Sequence, residues 1–195
     1  MTRTSTIARN TKETQIEMTF VIDGSGKYDI STGVGFLDHM LELFTKHGMF
    51  DMTLKCLGDI HVDAHHSVED IGIVLGTCIK EALGDKKSIL RYGSMMLPMD
   101  EVLALVSLDL SGRPFLQYNV EFANDLVGDM ETELVEEFFR AVSTNAGMNL
   151  HIKLLEGGNN HHVVEAIFKA FSKALDQATQ TDERIDGVMS TKGNI

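Results

Sequence analysis

A five-residue motif occurs twice in the chain, and this repetition restricts the possible folds more than any other feature. HHSVE occupies residues 65–69, and HHVVE occupies residues 161–165. The segments before the two motifs are also alike, because MTLKCL at 52–57 matches LHIKLL at 150–155 and both carry Lys at the fourth position. We infer that the chain contains two copies of one structural unit.

The order of elements is predicted to be the same in both copies. FLDHMLELF at 36–44 and LVEEFFRAV at 134–142 share a helical period of apolar residues. Each half is expected to run strands, helix, strand and helix. The economical fold is α+β with an internal duplication of a small α/β half, in which the helices pack on one face of a sheet. We expect a single domain built from two repeats, roughly 1–90 and 91–195, since two repeats are too few for a solenoid.

Hydrophobic periodicity predicts the position of each element. Alternation of polar and apolar residues is typical of a strand with one buried face, and a period near 3.6 is typical of an amphipathic helix. The turn Ser111-Gly112-Arg113 is expected to join two strands directly, and the tail from residue 186 is expected to be loose. The predicted strands are 14–22, 52–57, 102–110, 114–122 and 149–155, and the predicted helices are 35–47, 66–83, 131–146 and 161–178.

Composition excludes several classes of function. The formal net charge of −12 argues against non-specific binding of nucleic acid, which requires a basic surface. The apolar runs are too short to span a bilayer, and we expect no signal peptide. The two cysteines, Cys56 and Cys78, have neither metal-binding nor redox spacing, so both are expected to be reduced thiols of a cytoplasmic protein.

The repeated motif places metal-ligand chemistry on two helices. Residues four apart share one helix face, so His65 faces the same way as Glu69, and His161 the same way as Glu165. The second histidine of each pair is rotated by about 100° and can serve another ion. Imidazole and carboxylate together suit Mn, Fe or Zn. A single such motif is more often a solvated helix face, but two copies at matching places favour metal binding.

A pseudo-symmetric assignment gives two sites of like design. His39 is the next donor in the first half, and Glu137 is its counterpart in the second, although Glu137 could also be an ordinary surface glutamate. Spacing alone leaves open whether the ligands meet within one chain or between chains. One site would use His39, His66, His161 and Glu165, and the other would use His65, Glu69, Glu137 and His162.

Several segments resemble imidazoleglycerol-phosphate dehydratase in its monofunctional form, and the resemblance runs nearly end to end. The matching segments are IARNTKET (7–14), GFLDHML (35–41), GDIHVDAHHSVED (58–70), LRYG (90–93), LDLSGRP (108–114), VEEFF (135–139), NLHIKLLEGGNNHHVVEAIFKAF (149–171) and STKG (190–193). The chain departs from the family at Glu137, where the family often has His, and at Leu43, where some relatives have Gln.

The resemblance implies a fold, a cofactor and an assembly. Each half would adopt the fold of ribosomal protein S5 domain 2. Two manganese ions would bind in each active site, with iron or zinc as alternatives. The subunits would form a large homo-oligomer, typically a cubic particle of twenty-four chains. The active sites would lie between subunits, so that ligands from both motifs would meet across chains.

The reaction implied is the dehydration of imidazole-glycerol phosphate to imidazole-acetol phosphate in histidine biosynthesis. The proton to be removed is barely acidic, so the expected route passes through a metal-stabilised imidazolate and a diazafulvene. By the resemblance, Glu13 would move the proton. The groups implied for phosphate binding are Arg91, Arg113, Lys169, Ser190 and Lys192.

Two other functions are also compatible with the sequence. A two-metal hydrolase would use similar ligands to activate water, and a metal-scaffold assembly would use the ions only to join subunits.

The three remaining histidines are His47, His61 and His151. We interpret His47 as a helix-end or site-lining residue, and His61 and His151 as structural residues flanked by strands or as partners of ligands.

Overall fold

The computed structural model describes residues 2–194 and contains ten strands and four helices within that range. The first half contains β1 (Thr4–Asn10), β2 (Thr14–Val21), β3 (Tyr28–Ser31), α1 (Gly35–His47), β4 (Asp51–Gly58) and α2 (His65–Leu83). The second half contains β5 (Tyr92–Met99), β6 (Val102–Asp109), β7 (Phe115–Asn119), β8 (Leu126–Val127), β9 (Met130–Glu131), α3 (Glu133–Ala146), β10 (Asn149–Glu156) and α4 (Asn160–Thr179).

Each half forms a four-stranded sheet, and the two sheets have the same topology. The strand orders are β1-β2-β4-β3 and β5-β6-β10-β7. In both sheets the last strand of the order runs parallel to its neighbour, while the other pairs are antiparallel. The short hairpin of β8 and β9 occurs only in the second half. The predicted α+β fold with an internal duplication is therefore confirmed.

Each sheet buries one face, as the alternating sequence predicts. On β2, Ile16, Met18 and Phe20 are buried, while Glu17 between them is exposed. Removing such side chains from water contributes about 1.5–3 kcal/mol each, so the alternation sets which face of the sheet meets the helices. The buried apolar residues of both halves belong to one continuous core.

The helices pack across the two halves. Helix α1 packs on α4, and α2 packs on α3. Gly72 and Gly76 bring α2 against the α3 backbone, since a Cβ on Gly76 would lie 2.6 Å from the Val142 carbonyl oxygen. At the equivalent place on α4, Ser172 Oγ donates to the Phe44 carbonyl oxygen at 2.6 Å. Each site built between these helices must therefore combine residues of both repeats.

Three local predictions are wrong. Strands β6 and β7 do not pair as a hairpin, because β10 lies between them and pairs with both. The helix predicted from residue 131 begins at Glu133, since residue 131 pairs within the β8–β9 hairpin. The tail is not loose up to Met189, because the Gly187 and Met189 carbonyls accept hydrogen bonds from Ser88 N and Arg91 Nη1, each at 2.7 Å.

Hydrophobic periodicity did not predict strands β1, β3 and β5 or the β8–β9 hairpin. Within residues 2–194, no helix has the length and apolar character needed to cross a bilayer.

Candidate active site

Both pentapeptides lie at the start of a helix, and each has a side-chain acceptor two residues before its first histidine. Asp63 Oδ1 accepts a hydrogen bond from His65 N, and Asn159 Oδ1 accepts one from His161 N, each at 2.8 Å. Acceptors at this position satisfy backbone N–H groups that the first helical turn leaves free. The repeated histidines are therefore presented in the first turns of α2 and α4.

Three predicted ligands converge between α1 and α4. His39 Nε2 lies 2.9 Å from Glu165 Oε1, and His161 Nε2 lies 3.3 Å from the same oxygen. The three ligand atoms all lie within 4.8 Å of one another. An ion with bonds of about 2.1 Å at right angles separates neighbouring ligand atoms by about 3 Å, so this cluster fits a divalent cation.

The position of α1 depends on a contact from the second half. Asp129, in the turn between β8 and β9, accepts hydrogen bonds from Gly35 N at 2.7 Å and Phe36 N at 2.9 Å. A carboxylate at a helix N-terminus satisfies free N–H groups and interacts well with the helix dipole. The hairpin found only in the second half thus anchors the helix that carries His39.

Glu165 is ionised despite its burial. Burial opposes its ionisation, but hydrogen bonds from Lys169 at 2.7 Å and from His39 outweigh this effect and lower the pKa of Glu165 to about 2. A buried carboxylate held in its charged form can bind a cation without first losing a proton.

The second predicted cluster lies between α2 and α3. His65 Nε2 is 3.8 Å from Glu69 Oε2. Glu69 and Glu137 line a single hollow of about 250 Å³, and Arg140 Nε lies 3.7 Å from Glu137 Oε2. His65 is thus close to Glu69, while Glu137 is brought near Glu69 only by the hollow that both line.

The second histidine of each pair does not join the predicted groups within the chain. His66 Nδ1 lies 3.1 Å from Asp59 Oδ2, and His162 Nδ1 lies 2.9 Å from Glu101 Oε2. These carboxylates raise the pKa of His66 and of His162. Within one chain, His66 and His162 therefore have partners outside the two predicted ligand sets.

Glu13 lies beside one of these separate histidines. It occupies the turn between β1 and β2, and its Oε1 is 3.9 Å from His66 Nε2. Its side chain is 55% exposed, so it is free to reach a bound molecule. The residue implied as the proton carrier is thus adjacent to a predicted metal ligand.

Four of the five residues implied for phosphate binding share one cavity. Arg91, Arg113, Ser190 and Lys192 line a cavity of about 630 Å³, which we call the phosphate pocket. Its cations can attract an anion although the chain as a whole is acidic.

Arg91 is a buried residue of the phosphate pocket whose guanidinium makes three hydrogen bonds. Its Nε and Nη2 donate to the two oxygens of Asp109 at 2.7 and 3.1 Å, and this pairing raises the pKa of Arg91. Its Nη1 donates to the Met189 carbonyl, so the same side chain holds the tail that carries Ser190 and Lys192.

Lys169 does not line the phosphate pocket. Its Nζ lies 2.7 Å from Glu165 Oε2 and 3.5 Å from Met99 Sδ, because it is one helical turn after Glu165. Within one chain it therefore contacts the cluster of His39, His161 and Glu165, and its implied contact with phosphate stays a prediction.

The remaining histidines differ in their surroundings. His47 is half-buried at the end of α1, and burial together with nearby Lys169 lowers its pKa. His61 was predicted to be flanked by strands, but it lies on an exposed turn. His151 is on β10, where its ring packs 5.7 Å from that of Phe115.

Three residues that contact the predicted site residues were not predicted: Asp59, Glu101 and Asp109. Each comes from a loop, a turn or a strand end, where hydrophobic periodicity carries no signal. Asp59 and Asp109 lie close in sequence to HHSVE and to SGRP, whereas Glu101 lies near neither motif.

Comparison with known proteins gives the family. Residues 32–175, which include both pentapeptides, match the sequence profile of the family described as Imidazoleglycerol-phosphate dehydratase. The chain belongs to the imidazoleglycerol-phosphate dehydratase family. The resemblance inferred from the motifs is thereby confirmed.

Relatives of this family match the chain over its whole length. The imidazoleglycerol-phosphate dehydratase of Acetivibrio thermocellus is 63% identical over 195 residues and covers 100% of both chains. That of Lachnoclostridium phytofermentans is 58% identical with the same coverage. The similarity includes the N-terminal segment with Glu13 and the tail with Lys192.

Two crystal structures of imidazoleglycerol-phosphate dehydratases have the same fold. The Staphylococcus aureus structure has 47% sequence identity and a TM-score of 0.84, covering 92% of this chain and 99% of that one. The Pyrococcus furiosus structure, in complex with (S)-C348, has 36% identity and a TM-score of 0.84, covering 97% and 100%.

Proposed function

We propose that this chain catalyses the dehydration of imidazole-glycerol phosphate to imidazole-acetol phosphate in histidine biosynthesis. The chain is a hydro-lyase of the imidazoleglycerol-phosphate dehydratase family. The observation that carries the proposal is the convergence of His39, His161 and Glu165 from the two repeats. This cluster provides the chemistry that a substrate with an imidazole ring requires.

The residues present fit divalent cations. His39, His161 and Glu165 would hold one ion, and His65, Glu69 and Glu137 would contribute to the other. Neutral imidazole with carboxylate suits Mn²⁺, and iron or zinc could use the same donors. Bound cations would stabilise negative charge on an imidazole ring that has lost its N–H proton.

The electrons of the deprotonated ring can expel the neighbouring hydroxyl group. The carbon–oxygen bond breaks with its electron pair, the hydroxyl leaves as water after taking a proton, and the ring becomes a diazafulvene. Loss of a proton from the next carbon then returns the electrons to the ring and gives an enol. The enol tautomerises to the ketone, and the phosphate group is retained throughout.

Glu13 is the group we assign to the proton transfer at the carbon chain. Its carboxylate is exposed and lies 3.9 Å from His66 Nε2, so a substrate near that ring would be within its reach. A carboxylate in contact with water can accept a proton and release it in each turnover.

The phosphate pocket would hold the other end of the substrate. The Arg113 guanidinium can donate two hydrogen bonds to phosphate oxygens, and Lys192 and Ser190 add an ammonium and a hydroxyl. Arg91 would add charge and keep the tail in place through Met189. Fixing the phosphate orients the imidazole ring toward the metal ligands.

We further propose that subunits complete the sites in a homo-oligomer of twenty-four chains. His66 and His162 lie apart from the two clusters within the chain, so a second subunit can bring its own clusters to them.

Cytoplasmic location fits two cysteines that are both free and buried.

Product analysis tests the proposed reaction. Purified enzyme with Mn²⁺ and imidazole-glycerol phosphate should yield a phosphorylated ketone, with no inorganic phosphate released. Release of inorganic phosphate without ketone would instead indicate a two-metal hydrolase. If neither the ketone nor inorganic phosphate forms while the assembly stays intact, the ions only join subunits.

A further inference from the structure

The second histidine of each pentapeptide has a carboxylate at its Nδ1, and these two carboxylates are not equivalent residues of the two repeats. His66 Nδ1 lies 3.2 and 3.1 Å from the two carboxylate oxygens of Asp59. His162 Nδ1 lies 2.9 Å from Glu101 Oε2. The first histidine of each pentapeptide instead faces the glutamate one turn later, so the two rings of each pair have different partners.

The two carboxylates come from different places in the repeated unit. Asp59 follows β4, whereas Glu101 lies in the turn between β5 and β6. Because β4 corresponds to β10, the repeat equivalent of Asp59 is Gly157. A contact inherited only from the unit that was duplicated would join equivalent residues in the two repeats. The same contact made from two different elements favours a functional requirement for it.

Glu101 is held in place by a further hydrogen bond and passes close to Gly158. Its Oε1 accepts a hydrogen bond from Asn159 N at 2.7 Å. A Cβ on Gly158 would lie 2.3 Å from that oxygen, so glycine is needed for this close approach. The side chain can therefore reach His162 without moving the start of α4.

The hydrogen bonds determine which ring nitrogen carries the proton. An ionised carboxylate can only accept, so Nδ1 of a neutral ring must donate, and the lone pair is then on Nε2. In the part of the chain described, neither Nε2 has a hydrogen-bond partner. The closest acidic oxygens are those of Glu13, 3.9 Å from His66, and Asp100, 3.8 Å from His162.

We propose that Asp59 and Glu101 are positioning residues that hold His66 and His162 with Nδ1–H donated and Nε2 free to bind a divalent cation. The inference rests on the metal binding in the proposed function. Carboxylates that orient metal-binding histidines in this way fix the ring and increase its basicity. Asp59 and Glu101 would thus act through the histidines and would not touch the ion.

Binding of Mn²⁺ to the demetallated full-length protein tests this role, with a fluorescent chelator as competitor. Asp59→Ala and Glu101→Ala should each weaken the binding of one ion by about 10- to 100-fold. Asp59→Asn and Glu101→Gln keep the shape and an oxygen acceptor, so their affinities should lie between those of the alanine variants and the wild type. Asp29→Ala, an exposed aspartate on β3, is the matched control and should bind as the wild type does.

Thermal unfolding of the same demetallated proteins separates positioning from a structural role. Positioning predicts similar Tm values with weakened Mn²⁺ binding, whereas a structural role predicts lower Tm values with Mn²⁺ affinity retained. The amide variants decide the matter if an alanine variant fails to fold. If these variants bind Mn²⁺ with wild-type affinity while the wild-type chain binds two ions, the positioning role is wrong and the proposed metal binding still stands. A wild-type chain that binds no Mn²⁺ would overturn the metal binding of the proposed function.

Discussion

Glu13 is the residue whose replacement separates catalysis from assembly most clearly. Its exposed carboxylate is not among the proposed metal ligands. We predict that Glu13→Gln lowers kcat by about 100- to 10,000-fold, the range typical of a lost general acid or base. Particle mass and metal content should stay unchanged. Glu183→Gln, another exposed glutamate, serves as control, and near wild-type turnover in Glu13→Gln would contradict the assignment.

Arg113 is predicted to recognise the phosphate by geometry as well as charge. Arg113→Ala removes a charge-assisted hydrogen-bond donor worth about 1.5–3 kcal/mol, so kcat/KM should fall by roughly 10- to 100-fold. Arg113→Lys keeps the charge but loses the two-pronged contact, so it should recover only part of this loss. Steady-state kinetics measure both effects, with Arg184→Ala as an exposed control. An unchanged KM in Arg113→Ala would argue against the phosphate pocket.

Single residues of the site differ in how far sequence could predict them. His161 and Glu165 were predictable as a pair because i, i+4 spacing on a helix fixes which side chains share a face, and His39 was predicted as the next donor of the first half. Asp59 and Glu101 were not, since a loop and a turn place side chains without any period. The separation of His66 and His162 from the other proposed ligands could not be predicted either, because it depends on distances in the folded chain.

At the scale of elements, the contact between α2 and α3 depends on the absence of a side chain. A Cβ on Gly76 would lie 2.6 Å from the Val142 carbonyl and 2.9 Å from Asn145 Cβ. Overpacking of this kind costs about 1–3 kcal/mol, and the higher helix propensity of alanine offsets about 1 kcal/mol of it. We predict that Gly76→Ala lowers Tm by roughly 2–4 °C.

The control for this substitution is Gly157→Ala, where the added Cβ would have an ordinary contact at 3.4 Å. Calorimetry or circular dichroism on the demetallated proteins measures both variants. A Tm for Gly76→Ala equal to that of the wild type would show that the two helices can separate without cost.

The buried face of α2 predicts a loss of stability at alkaline pH. Burial raises the pKa of Cys78 from 9.0 to about 11. Between these values the unfolded chain releases a proton that the folded chain retains. The free energy of unfolding should therefore fall as pH rises from about 9 to about 11, by on the order of 2–3 kcal/mol from this group.

Urea unfolding at several pH values measures this dependence. Cys78→Ala lacks the thiol, so its stability should decline less steeply over the same pH range, even though the cavity lowers its stability at neutral pH. Identical slopes for the two proteins would contradict the effect of burial on Cys78.

Strand pairing shows where local pattern stops being informative. The alternation in β6 and β7 correctly predicted strands, and the short turn between them suggested a hairpin. The parallel pairing of β7 with β10 involves residues more than thirty positions apart, which no local period encodes. The polar N-terminal strand β1 was missed because its outward residues dominate its composition.

At the scale of the whole molecule, the duplication explains both the fold and the site. Similar pentapeptides predicted similar halves, and the two sheets have the same strand order. The packing of α1 on α4 makes the cluster of His39, His161 and Glu165 a product of both repeats. The number of subunits follows from surfaces between chains, so it stays a prediction drawn from the family.

The most direct test of the account is the metal content of the active enzyme, measured together with its particle mass before and after chelation. We expect about two divalent cations per chain in a large particle, and a smaller species once they are removed, because ions that bridge subunits add binding energy to assembly. Active enzyme without such ions would contradict the account, and a full-sized particle after complete demetallation would contradict the bridging role.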